Sequence, residues 1–267
     1  MEENTREVWY DAAAKASATI VDATGAAREL AQTHLCGPAS AYFLAKAVAA
    51  AALLAAETSE EDEVVSVQMK CDGPLGGFNV ECSAGGAIRG YTEKKILDDF
   101  DACATFDEKK IVGERRIQVT RSIPGRIISQ GISYSLDGYL AGSLQRRARI
   151  FLEAATGEGG EVLEARGALV EAMPDGNWPI SRADAIIPAK SKAGALAASP
   201  RTLLKRLGLS QAERRGVSPL RFACRCSRER AAAILAALPE EERRALPEKT
   251  DITCHMCGRT WTVEAGK

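Results

Sequence analysis

Eight cysteines stand in this 267-residue chain, and four of them are spaced to act together. Cys224-Arg225-Cys226 is followed after 27 residues by Cys254-His255-Met256-Cys257-Gly258. Two such pairs, brought together across a loop, offer four thiolates to one metal, the closed tetrahedral donor set of structural zinc at about 2.3 Å per Zn–S bond. The Cys-x-x-Cys-Gly turn points both sulfurs inward, and Gly258 can take the backbone angles that leaving such a turn requires. Cys-x-Cys is the less usual half, because residues two apart share a face only where the chain stays extended. The competing readings are two disulfides or four inert thiols, and permanent disulfides need an oxidising compartment. His255 sits inside the turn and is a spare ligand, its ring expected to face solvent.

Cys36, Cys71, Cys82 and Cys103 show no ligand spacing and read as small buried hydrophobes. A catalytic zinc keeps an open water position, and no carboxylate–histidine pair lies near the cysteines, so a zinc hydrolase is the weakest reading and no catalytic residue is assigned. The glycine run at 73–77 lacks the lysine and the following helix of a phosphate-binding loop.

The elements that must position the cysteines follow from pattern. Residues 38–56 are alanine-dominated, carry Lys46 and end in an acidic run, which reads as a buried core helix, not a membrane span. His34-Leu35-Cys36-Gly37-Pro38 stops one element and starts that helix. Val65, Val67 and Met69 alternate with polar neighbours, as do Phe78, Val80 and Cys82. With Ile88 to Tyr91 they predict a three-stranded antiparallel meander. Strands are also predicted from Arg116 to Ile123, from Ser129, and twice within Glu161 to Met173. Leu140, Leu144, Ala148, Phe151, Leu152 and Ala155 fit one helical face. Asp11 to Thr33 gives no clear element.

These features divide the chain into an α+β domain over residues 1–181, a linker over 182–221 and a cysteine module over 222–267. The linker is basic, with nine Lys or Arg residues against two acids. Two short helices are predicted in it, one capped by Ser199 and one starting at the capping box Ser210-Gln211-Ala212-Glu213. A net charge of -1 over the whole chain gives no global reason to expect nucleic acid. Nor do aromatics interleave with the linker's charges to stack bases. A nucleic-acid-binding zinc module is the alternative function, and it predicts steeply salt-dependent binding. In the module, Ser227 caps a helix, Pro239 starts another, and Thr250–Cys254 and Thr260–Val263 flank the cysteine turn as strands. So small a core needs the metal for its folding free energy. The acidic opening Met1-Glu2-Glu3-Asn4 has no basic and apolar leader, so the protein is expected to be soluble and cytoplasmic.

The stretches Phe222-Ala223-Cys224-Arg225-Cys226-Ser227-Arg228-Glu229-Arg230 and Cys254-His255-Met256-Cys257-Gly258 resemble the heat shock protein 33 family, the redox-regulated holdase chaperones of the bacterial cytoplasm. The resemblance continues through residues 34–56, Gln68 to Gly76 and Ile88-Arg89-Gly90-Tyr91, and more loosely through Gln130-Gly131-Ile132 and residues 167–174. Residues 144–155 and the alanine-rich basic linker depart from the family pattern. The resemblance implies one zinc held by Cys224, Cys226, Cys254 and Cys257 in the reduced, inactive chain. Oxidation would release it as disulfides form within Cys224–Cys226 and Cys254–Cys257. It also implies unfolded client proteins as partners, no nucleotide requirement and a homodimer of the oxidised form.

Overall fold

The computed structural model describes residues 4–103, 105, 107–186 and 194–264. A hairpin of β1 (Thr5–Asp11) and β2 (Ala16–Asp22) leads into α1 (Thr24–His34) and α2 (Pro38–Leu54). The predicted meander follows as β3 (Val64–Cys71), β4 (Gly77–Ser83) and β5 (Ala87–Thr92). After the short α3 (Asp98–Asp101) and α4 (Glu108–Val112) come β6 (Arg115–Ile123) and β7 (Arg126–Ser133). Next are α5 (Leu136–Gly142), β8 (Arg147–Thr156) and β9 (Val162–Ala172). α6 (Ser181–Ile186), α7 (Pro200–Arg206), β10 (Glu213–Pro219) and β11 (Arg221–Phe222) lead to the cysteines. The chain then forms α8 (Arg228–Ala236), α9 (Glu240–Arg244), β12 (Lys249–Thr253) and β13 (Thr260–Glu264).

Two sheets enclose α2. One has the order β10-β1-β2-β9-β8, the other β11-β5-β4-β3-β6-β7. Alternation sets which residues face the helix: Val65, Val67, Met69, Val80 and Cys82 are buried, while Lys70 is exposed. Pro38 occupies the first turn of α2, where its missing N–H costs no bond. The alanines allow close approach on both sides. At Gly167 in β9 a Cβ would come within 2.7 Å of Leu53 Cδ1, so glycine lets this strand meet the helix without displacing that side chain. Among the described residues, Pro38–Glu57 is the one helix long and apolar enough to cross a bilayer, and it lies buried between the sheets.

Some expectations fail for identifiable reasons. The helix predicted through Ala155 ends at Gly142; Gln145 takes φ 53°, and β8 begins at Arg147. Ala148, Ile150, Leu152 and Ala154 pack on the main core, while Phe151 packs on a second core on the other face. With apolar residues on both faces the strand loses its alternation and mimics a helical period. Glu161 to Met173 holds one long strand, not two. Residues 11–33 contain β2 and α1.

Of the two helices expected in the linker, one forms where it was expected. The Ser199-capped helix is present as α7, with Thr202 N–H donating to Ser199 Oγ at 3.3 Å. The one expected from Ser210 is replaced by β10, which pairs antiparallel with β1 from Thr5↔Pro219 to Tyr10↔Glu213. Gln211 N–H donates to Asp11 Oδ2 at 3.1 Å, which steers the chain toward that ladder. A single helical turn is marginal alone, and an available sheet edge outcompetes it. Part of the linker's positive charge meets the body: Arg214 lies 3.8 Å from Glu7, and Arg201 covers the Trp9 ring at 5.2 Å. Lys190 and Lys192 lie outside the described residues.

Candidate metal centre

β11 adds two residues to the edge of β5 in parallel, pairing Arg221 with Ala87 and Phe222 with Ile88. Beyond it the chain belongs to no helix or strand until α8 begins at Arg228, and Cys224 and Cys226 lie in that irregular stretch. Ser227 then caps α8, its hydroxyl accepting from Arg230 N–H at 3.2 Å. Cys254 and Cys257 occupy the turn joining β12 to β13, the two strands predicted around them. Cys254 N–H donates to Arg259 O and Gly258 N–H to Cys254 O, both at 2.8 Å. Gly258 has φ 71°, the left-handed conformation expected of it.

The four sulfurs converge, all within 4.8 Å of one another. Cys224 and Cys254 Sγ are 3.8 Å apart, and Cys226 and Cys257 Sγ 3.4 Å apart. These are not disulfides, whose S–S bond is about 2.05 Å. A tetrahedron with Zn–S bonds of about 2.3 Å has edges of roughly 3.8 Å, so the spacing suits one zinc-sized ion.

The electrostatics suit a cation too. Burial pushes the Cys224 thiol up, but hydrogen bonds from the Cys226 backbone and from Cys226, Cys257 and Arg89 side chains outweigh it and bring it down to about 7. Burial raises Cys257 and Cys254; the neighbouring sulfurs of Cys226, Cys254 and Cys224 add to the rise at Cys257, and Cys224 adds to it at Cys254. One thiolate here opposes the next, and a dication at the centre removes that opposition.

The module around this centre has little else to hold it. Its core consists of Ala231, Leu235 and Val263, with Leu238, Leu246, Ile252 and Trp261 partly buried around them. Replacing Ser227 with alanine should therefore be felt: the lost cap is expected to lower module stability by about 1 kcal/mol, measured as faster amide exchange in α8 against an unchanged rate in α2.

The remaining cysteines divide. Cys36 and Cys82 are buried as expected, and burial, opposed by Arg6, pushes the Cys82 thiol up to about 12. Cys71 is half-buried, and Cys103 is exposed, which corrects its reading as a core residue. Its described neighbours Ala102, Thr105 and Asp107 are exposed as well. Timed alkylation of the folded, metal-loaded chain should modify Cys103 first and Cys82 only on unfolding; early labelling of Cys82 would contradict the burial.

The sequence reading missed the body's share in the site. Gly90 N–H donates to Met256 O at 2.8 Å, and the exposed His255 ring lies 3.8 Å from the Tyr91 ring, centroid to centroid. His34, 2% exposed, donates from Nε2 to Gly90 O at 2.8 Å, and burial pulls its imidazole below the ordinary range. A Cβ at Gly258 would fall 2.7 Å from Thr33 O, so glycine also lets the turn seat closely on the body. The sequence signals at His34 and at Ile88 to Tyr91 are of a helix boundary, a strand and a family resemblance, none of which points to contact with the cysteine turn.

The fold and site define a class: a two-sheet α+β body carrying a small C-terminal four-thiol module suited to a metal ion. The family model described as Hsp33 protein matches residues 9–264, and the chain belongs to that family. Among similar proteins is the 33 kDa chaperonin of Lacticaseibacillus paracasei, 28% identical over 259 residues covering 90% of this chain and 88% of that protein. The 33 kDa chaperonin of Deinococcus radiodurans is also 28% identical, over 90% of this chain and 88% of its own length. The crystal structure of the 33 kDa chaperonin (heat shock protein 33 homolog) of Thermotoga maritima superposes with a TM-score of 0.83 at 17% identity, covering 97% of this chain and 95% of that one.

Proposed function

We propose that this protein is a cytoplasmic, redox-regulated chaperone that holds unfolding proteins without nucleotide. The convergence of four sulfurs within 4.8 Å carries the reading. In the reduced chain Cys224, Cys226, Cys254 and Cys257 hold one zinc, which supplies the module's folding free energy. An oxidant such as peroxide takes two electrons from each cysteine pair. Disulfides would form within Cys224–Cys226 and within Cys254–Cys257, each peroxide would take up two protons from solvent and become two waters, and the four sulfurs would no longer be able to hold the ion.

The chain order gives the consequence. β10 and β11 lie immediately before Cys224, so the residues that close the edges of both sheets end at the metal centre. A module that unfolds frees β11 from β5 and then β10 from β1. Residues 182–221 act as the linker between the body, 1–181, and the switch, 222–267. In the reduced state the described part of that linker is packed: Leu196, Leu203, Leu204, Leu207 and Leu209 are buried with Trp9 and Trp178 in the second core. Released, those leucines and the partners they covered form an apolar surface for unfolded clients, and the freed strand edges are a basis for dimerisation of the oxidised form.

The test is light scattering from a heat-unfolded reporter protein in nucleotide-free buffer. Peroxide-treated protein is expected to suppress aggregation at near-stoichiometric amounts and reduced protein to leave it unchanged. Equal behaviour of the two forms would refute the switch.

A further inference from the structure

The linker lies on a face of the body that has one kind of chemistry. Its five buried leucines pack with Trp9, Ile20 and Val170. Around this apolar floor the body supplies acceptors, the buried carboxylates of Glu7, Asp11 and Glu153. Glu153 accepts two consecutive main-chain N–H groups of the linker, Ala195 at 2.9 Å on Oε1 and Leu196 at 2.7 Å on Oε2. At the far end of the same segment Asp11 Oδ2 accepts Gln211 N–H at 3.1 Å, and Glu7 lies 3.8 Å from Arg214. Ring faces are used in the same sense: Arg201 covers Trp9 at 5.2 Å and Arg215 covers Tyr10 at 5.7 Å. Two contacts run the other way, Arg149 Nε to Asp184 Oδ1 and Trp178 Nε1 to Leu207 O, both at 3.1 Å. Lys205 and Arg206 are exposed and take no part in these contacts.

We infer that this face, once the linker leaves it, selects apolar and basic segments of unfolded proteins, and that the linker is its built-in occupant. A carboxylate that binds main-chain N–H groups accepts a segment of any sequence, through charge-assisted bonds. The leucine floor asks for apolar side chains, and the Trp9 and Tyr10 rings with Glu7 ask for arginine or lysine beside them. An Asp or Glu at those positions would set like charge against a buried carboxylate, and such a mismatch is how a surface rejects a partner. The whole chain carries a net charge of only -1, so the preference comes from this face and not from a general attraction for cations.

The inference rests on the switch proposed above, which uncovers the face. Its test is the fluorescence anisotropy of a labelled peptide with the sequence of residues 195–215, titrated with the peroxide-treated full chain. A second peptide carries Arg201→Glu, Arg214→Glu and Arg215→Glu, the three residues that meet the body. A third carries Lys205→Glu and Arg206→Glu, which face solvent. The tethered linker competes with all three alike, so the ratios of their affinities read the face itself. The second peptide is expected to bind roughly tenfold more weakly than the first, the scale of three partly exposed charge contacts. The third should stay within about threefold of the first, as exposed charges do. Equal binding of the first and second peptides, an equal loss in the second and third, or no binding of any would overturn the inference. If the same samples still suppress reporter aggregation, the switch stands without it. Peroxide-treated protein that suppresses no aggregation would overturn the switch and the inference together.

Discussion

Cys257→Ser is expected to strip zinc from the reduced protein and unfold residues 222–264 while the body stays folded. Cys257 is fully buried with its sulfur 3.4 Å from that of Cys226, so a neutral hydroxyl in its place leaves three thiolates and an incomplete tetrahedron. Partners beyond the ligands change metal affinity by about 10- to 100-fold, and losing a ligand should exceed that. Structural zinc contributes an apparent 10–16 kcal/mol or so in small zinc modules, far more than burial of Ala231, Leu235 and Val263 can supply. Metal analysis and amide exchange read the two effects together. Full zinc content with a protected β12–β13 hairpin would refute the four-cysteine assignment.

Leu207→Asp should switch the protein on without oxidation. Leu207 is fully buried in the second core, and its carbonyl accepts from Trp178 Nε1 at 3.1 Å. A carboxylate buried there without a partner costs about 3–5 kcal/mol, a large share of the 5–15 kcal/mol or so that holds a typical domain. α7, only seven residues long, has no independent stability to resist it. The expected result is a chain that keeps one zinc, shows red-shifted tryptophan emission and suppresses reporter aggregation in its reduced state. A variant that still requires peroxide would place the client surface elsewhere than under the linker.

The residues of the candidate metal centre were legible because their signal is local. Two cysteine pairs, a glycine after the second, and a serine before α8 specify the turn, its exit and the cap within a few residues each. The meander was legible because β3 and β4 each bury one face. β8 was not, since its two faces serve two cores and its pattern passes for a helix. β10 was misread because a capping box describes only what a segment could do alone; the vacant edge of β1, about two hundred residues earlier in the chain, decided the outcome. The same distance hid the docking strip. Nothing near Gly90 indicates that Met256 will lie beside it, and His34 gives no sign that it will support the strand that carries the metal turn.

The most direct measurement of the central claim is zinc per chain before and after peroxide, with reporter aggregation followed in the same samples. The account predicts one zinc per reduced chain, released as aggregation becomes suppressed. Zinc that stays bound, or leaves with no gain in suppression, would contradict it.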